Sequence, residues 1–258
     1  MLDLWAHREM TWILFCRDLK ASFRGSFLGY VWLFLPPLAT TLVWIVLNKS
    51  NVVSFADPSI PYPLFVLVGT VIWSAFTRAA MLPLQTFQTS KAVFSKIKVP
   101  VSAFLLVAPL RALFDSFLYL LTAALVIPFF DVSLSPALLL FPFILVVTVL
   151  LGFALSLLLL PASALYSDVQ QAMVLLFSVA IYLAPVVYPA PKSGLFASFV
   201  ALNPVTTLIV SARESLFVGL PAAWPALLLT ALFSCLFIIF ALAGMRIAMP
   251  HLTARMGM

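Results

Sequence analysis

From Ala137 to Leu160 the chain carries no charged residue, and only Thr148 and Ser156 break the apolar run with a hydroxyl. Such a run can cross a bilayer, which takes about 20 apolar residues in a helix. Similar runs recur along the sequence with short polar breaks between them. That pattern specifies membrane helices, because barrel strands would be short and alternating. Composition agrees. The chain is 64% hydrophobic and 9% charged, whereas a soluble domain carries roughly 25% charged residues. Too little polar surface remains to face water, and 258 residues leave little over for a separate soluble domain.

Read in order, residues 1 to 26 predict an amphipathic helix on the membrane surface. Trp12, Phe15, Leu19 and Phe23 recur at spacings of three and four, and Arg17, Lys20 and Arg24 occupy another face. A simple interfacial anchor would show the same periodicity. The stretch Arg17 to Trp32, RDLKASFRGSFLGYVW, joins this basic face to a small-residue turn and then to an aromatic membrane entrance. A first span is expected from Tyr30 to Leu47, bent at Pro36-Pro37, and a second from Tyr62 to Leu84 with Arg78 near its inner end. Gln85 to Pro100 is polar and has room for a short helix at Ser90 to Lys98. The third span, Val101 to Phe130, holds Arg111 and Asp115 four apart on one face, able to pair. Either a structural ion pair or a role in transport fits them, since charges are costly in lipid.

The fourth span is Ala137 to Leu160, followed by a loop from Pro161 to Gln171 and a fifth span from Ala172 to Tyr188. Between Pro189 and Pro225 the apolar pieces Leu195 to Leu202 and Val205 to Val218 are too short to span and suit re-entrant or interfacial helices. The sixth span is Ala226 to Met245. The expected fold is therefore all-α and integral to the membrane: one domain over 1–258, with an interface helix (1–29), six spans (30–246) and a cytoplasmic tail (247–258).

Net charge is +6, from 14 Lys and Arg against eight Asp and Glu. In a membrane chain this excess reads as topology, since Lys and Arg collect on cytoplasmic loops, and it gives no nucleic-acid signal. With both termini cytoplasmic, Arg8, Arg17, Lys20, Arg24, Lys91, Lys96, Lys98, Arg246 and Arg255 fall inside, and only Lys49, Lys192 and Arg213 fall outside. No secretory signal is expected, because Asp3, His7, Arg8 and Glu9 interrupt any early apolar core. Cys16 and Cys235 offer neither a disulfide framework nor a metal site, and His7 and His251 lie in opposite tails. The glycines never take the spacing of a phosphate-binding loop, so the chain has no ATPase site of its own. A membrane enzyme acting on polyprenyl lipids would need clustered carboxylates, and the acidic residues are scattered.

The series Arg24-Gly25-Ser26-x-Leu28-Gly29-x-x-Trp32, with Arg17-Asp18 before it and Pro36 after it, resembles the membrane subunits of type-2 ABC exporters. The similar branch exports polysaccharides: O-antigen, capsule and teichoic acid permeases. Gly69-x-x-x-Trp73, Lys96-x-x-x-Pro100, and Asn203-Pro204 followed by Arg213 and Gly219 continue the resemblance in order along the chain. It implies a homodimer of six-span subunits in the bacterial inner membrane, working with two ATPase subunits that bind ATP and Mg. The cargo it implies is a lipid-linked polysaccharide. A sibling exporter of drugs or small lipids is the alternative within the same architecture.

The resemblance also assigns roles. The turn at Leu28-Gly29 lies beside the substrate's entrance, and Arg24, with Arg17 and Lys20, would meet the carrier diphosphate, to which arginine can donate bidentate hydrogen bonds. The positive-inside bias alone would also place these cations there. Trp32, Trp73, Phe76, Tyr119, Tyr182 and Tyr188 are candidate path liners, with interfacial belts and packing as the competing explanation. Coupling to the ATPase falls to Ser90, Lys91, Phe94, Ser95, Lys96 and Asp168. The family often has Arg-Asp where this chain has Ser167-Asp168, which implies a different contact there. The external gate falls to Pro185, Gly194, Asn203, Pro204 and Arg213.

Overall fold

The computed structural model describes residues 8–24, 26–29, 31–50, 60–94, 101–191 and 193–255. Among them the chain forms α1 (Arg8–Phe23), α2 (Val31–Lys49), α3 (Tyr62–Phe94), α4 (Val101–Val126), α5 (Phe141–Leu165), α6 (Asp168–Ala180), α7 (Leu195–Leu202), α8 (Pro204–Phe217) and α9 (Trp224–Arg255). Short 3-10 turns extend α4 at Ile127–Phe129, precede α5 at Pro136–Leu140 and extend α6 at Ile181–Leu183.

The core is built around α3. It packs against α4 and α5 along much of its length and against α2 and α8, so 83% of the most apolar 18-residue window within Tyr62–Thr89 is buried. Leu64, Val66, Leu67, Val68, Val71 and Ile72 are fully enclosed. Small residues allow this close approach, as expected where helices pack without help from water. A Cβ on Gly152 of α5 would stand 2.5 Å from the Phe76 carbonyl oxygen. α9, by contrast, has only 22% of such a window within Trp224–Met245 buried. Its exposed Leu, Ile and Phe side chains make it the outer, lipid-suited helix.

Among the described residues four helices are long and apolar enough to cross a membrane: Tyr62–Thr89, Leu106–Phe129, Pro136–Leu165 and Trp224–Met245, or five spans if the bent pair α7–α8 counts as one. The first and fifth expected spans correspond to shorter apolar helices, Phe34–Leu47 and Asp168–Leu183. α7 and α8 form a pair bent by 83°, with boundaries close to those expected from the short apolar pieces.

Three boundaries differ from the sequence expectation, each at a polar residue or proline that does not stop the helix. α3 does not end at Leu84 but continues through Phe94, so Ser90 to Phe94 is the end of a long helix rather than part of a separate short one. Gln88 there is packed, donating from Nε2 to the Ser163 carbonyl of α5, and the exposed Thr89 Oγ1 donates back to the Gln85 carbonyl of its own helix at 3.1 Å. The rest of the expected coupling helix, from Ser95, lies outside the described residues. Pro161 sits inside α5, which runs on to Leu165; neighbouring helices allow a proline within a membrane helix. α9 carries helical backbone past Met245 to Arg255.

The leader is helical and docked on the bundle. α1 buries Thr11 and Phe15, while Trp12 is 62% exposed with its ring 5.5 Å from that of Phe15, so part of the aromatic face is covered by protein. The reason is that α1 docks on α4, with Phe15 edge-on to Phe114 at 6.3 Å between ring centres.

Candidate substrate path and gate

Arg213 is the first surprise. The sequence places it among the external charges, yet it is 4% exposed, and its guanidinium is wrapped by backbone. Nε donates to the Phe65 carbonyl at 3.1 Å, Nη1 to Pro185 at 2.7 Å and Nη2 to Val186 at 2.6 Å. Its carbon lies 3.4 Å from the Phe65 ring centre. Bonds from a charged donor are the stronger kind, and these three fasten α8 to α3 and to the chain leaving α6. Gly69 makes room for the clamp, since a Cβ there would stand 2.4 Å from the Val186 oxygen and 2.6 Å from Arg213 Nη2. Tyr62 adds a hydrogen bond to the Val187 carbonyl at 3.2 Å.

Of the gate candidates, Pro185 and Arg213 therefore meet directly. Asn203 and Pro204 lie at the corner between α7 and α8, where Asn203 Oδ1 accepts from the Val205 N–H at 3.0 Å and Pro204 opens α8. That is a helix N-cap with proline at the first helical position. Gly194 precedes α7 with φ of 92°, exposed to the surroundings.

Trp73 and Phe76 of α3 come together with Phe177 of α6. The Trp73–Phe76, Trp73–Phe177 and Phe76–Phe177 ring centres are 5.8, 6.3 and 5.7 Å apart. They wall a cavity of about 300 Å³ that also touches Asn203, Pro204 and Phe233. The lining is almost wholly apolar, and the Asn203 oxygen is already engaged, so the cavity suits a hydrocarbon group better than a hydroxyl-rich sugar. The other path candidates do not join it. Tyr119 is buried on α4, Trp32 and Tyr182 are exposed, and Tyr188 donates to the Tyr182 carbonyl at 3.0 Å.

On the opposite side of the fold, α3, α4 and α1 share a buried ionic cluster. Asp115 Oδ1 accepts from Arg111 Nε at 3.0 Å, and Oδ2 accepts from Arg78 Nε at 2.7 Å. Arg111 Nη1 donates to Ser22 Oγ at 3.2 Å, reaching the last turn of α1. Side chains of Arg111 and Asp115 are 1% and 0% exposed, while Arg78 keeps 32%. The expected Arg111–Asp115 pair thus forms, within a larger set.

The headgroup candidates lie on either side of Ser22 in sequence. Arg17, Lys20 and Arg24 are all exposed. The Gly29 N–H donates to Ser26 Oγ at 3.1 Å, and Gly29 has φ of 49°, a left-handed conformation that glycine adopts without strain. Leu28 is 39% exposed. Among the coupling candidates, Ser90, Lys91 and Phe94 are placed only by the backbone of α3, Ser95 and Lys96 lie outside the described residues, and Asp168 stands exposed in the first turn of α6.

No protein-family model matches the chain. Curated relatives do. The O-antigen export system permease protein RfbA of Myxococcus xanthus is 24% identical over 237 residues, covering 89% of this chain and 88% of that protein. Two permeases of the same name from Klebsiella pneumoniae are 25% and 24% identical over 206 residues, each pairing 77% of this chain with 76% of theirs. The chain is similar to O-antigen export permeases over most of its length. The resemblance to the polysaccharide branch of type-2 ABC exporters thus extends beyond short motifs.

Against this permease likeness, sequence reasoning missed three relationships. The sequence marks Arg78 only as a charge near the inner end of a span, yet it is the second cation on Asp115. A third charge within apolar runs that already hold Arg111 and Asp115 was the signal, because intramembrane charges seek each other. Ser22 and Gln88 carried no comparable signal, since their partners, Arg111 and Ser163, are remote in sequence.

Proposed function

We propose that this chain is the channel-forming subunit of an ATP-driven exporter that carries a lipid-linked polysaccharide from the cytoplasm across the inner membrane. O-antigen on a polyprenyl diphosphate is the favoured cargo. The observation that carries this reading is the similarity, over three quarters or more of both chains, to three permeases whose names specify O-antigen export. Those names favour O-antigen over capsule or teichoic acid.

In this reading the functional unit is a homodimer of six-span subunits with two ATPase partners, and both termini are cytoplasmic. Phe34–Leu47 and Asp168–Leu183 complete the six spans together with the four longer helices, and the bent α7–α8 pair dips into the membrane from outside. Arg24, Arg17 and Lys20 gather the anionic headgroup beside the Leu28–Gly29 turn. Coupling runs through the end of α3 and the start of α6 at Asp168. Arg213 holds Pro185 and Val186 in place behind the gate. The Trp73–Phe76 cavity takes an apolar part of the cargo or of the surrounding lipid.

The test is co-expression and purification with a candidate ABC ATPase from the same organism. The two chains should co-purify, and ATP hydrolysis in lipid should respond to this chain and to the lipid-linked polymer. A chain that purifies alone and transfers sugars or prenyl groups by itself would overturn the proposal.

A further inference from the structure

Arg78 stands out among the charged groups for what it leaves unused. Its Nε–H is fixed on Asp115 at 2.7 Å, and its two Nη groups make no hydrogen bond among the described residues. The same side chain is 32% exposed, although it stands in the middle of α3, within the membrane-suited stretch Tyr62–Thr89. A guanidinium exposed at that depth must face water or an anion, because hydrocarbon disfavours it strongly.

Its surroundings argue for the anion. The Asp115 carboxylate already accepts from Arg111 on its other oxygen, so one carboxylate serves both guanidiniums. Asp115 also orients Arg78, so that the Nη edge is presented in advance rather than ordered on binding. That edge offers parallel N–H groups, the arrangement that takes two oxygens of one phosphate. A chain of contacts from Arg78 through Asp115 and Arg111 to Ser22 ends in the last turn of α1. Arg111 stands ten residues into α4, about 15 Å from Val101 at 1.5 Å per residue, so the chain of contacts links the middle of α3 and α4 to the end of α1.

The geometry points to Arg78 as a binding residue for the phosphate oxygens of a lipid headgroup, presented by α3 beside the end of α1. This rests on the export reading for its favoured ligand, a prenyl diphosphate. Phosphate oxygens of bulk anionic phospholipid share the same chemistry.

The experiment uses the full chain with its ATPase partner in nanodiscs of neutral lipid, with farnesyl diphosphate as probe and farnesol as the uncharged comparator. The wild type should prefer the diphosphate, and Arg78→Gln should weaken that preference about ten-fold or more, the loss expected for a charged hydrogen bond. Farnesol binding should stay unchanged, and the melting temperature should fall by less than in Asp115→Asn, because Arg111 remains on Asp115. Arg78→Lys, which keeps the charge on Asp115 but not the fork, should fall between the two, and it decides the matter if the Gln variant does not fold. A full preference for the diphosphate in either variant overturns the site, as does a wild type that binds farnesol equally well. Phosphatidylglycerol that displaces the probe from wild type supports phosphate binding and names bulk lipid as the source. The two readings fail separately: normal surface polymer in a deletion strain would remove the export reading and leave the binding result standing, whereas unchanged binding in Arg78→Gln would do the reverse.

Discussion

The Arg213 guanidinium lies 3.4 Å from the centre of the Phe65 ring while its nitrogens reach three backbone carbonyls. Replacement by Met would leave those carbonyls without their donor in a buried setting. Hydrogen bonds to charged groups contribute about 1.5 to 3 kcal/mol each, so Arg213→Met should lower stability by about 3 kcal/mol or more. Arg213→Lys, without the planar fork, should recover only part. Thermal unfolding of the purified chain checks this, and an unchanged melting temperature in Arg213→Met would show that the clamp is incidental.

Asp115→Asn removes the one carboxylate from between Arg78 and Arg111. Breaking a buried pair is destabilising by about 3 to 5 kcal/mol, with the lower end expected here because Arg78 is partly exposed. Membrane yield and melting temperature of Asp115→Asn read the effect. Asp115→Glu should be milder, and equal stability of wild type and Asn variant would contradict the cluster's structural role.

Gly152→Ala pushes a methyl group toward the Phe76 oxygen at 2.5 Å and the Ala79 Cβ at 2.8 Å. Neither neighbour is a flexible side-chain end, so α3 and α5 must separate, at about 1 to 3 kcal/mol for an overpacked core. Gly244→Ala in α9 meets nothing within 4 Å and should be neutral or slightly stabilising. The pair of variants, compared in one melting assay, separates a packing effect from a general glycine effect.

Asn203→Ala deletes the cap of α8 and should lower stability by about 0.5 to 2 kcal/mol. Asn203→Asp, which keeps the acceptor, should restore it. Identical melting of the Ala variant and wild type would show that the corner is held by other contacts.

Arg24→Gln should abolish export while leaving membrane insertion and ATPase docking intact. Surface-polymer labelling and co-purification measure the two halves of that expectation. Unchanged export would return Arg24 to a charge that only obeys the positive-inside rule.

Much of the fold was legible because apolar length is written directly in the sequence: the cores of α3, α4, α5 and α9 fall where their runs lie, and the α7–α8 break sits at Asn203-Pro204. Helix ends were less legible. Gln88 and Pro161 look like loop residues, yet contacts with α5 and the surrounding bundle keep the helices going, and those contacts join positions far apart in the chain. The candidate site divides the same way. Arg111 and Asp115 announce their pairing by spacing, and Trp73 and Phe76 by proximity on α3. Nothing local reveals that Arg213 turns inward to Phe65, Pro185 and Val186, because its partners are backbone carbonyls, which carry no side-chain signature.

The most direct measurement of the central claim is the location of the polymer in a clean deletion of this chain. Extracted fractions should hold lipid-linked polysaccharide in the cytoplasmic leaflet and little at the cell surface, with recovery when the wild-type chain is supplied. Normal surface polymer in the deletion strain would contradict the account.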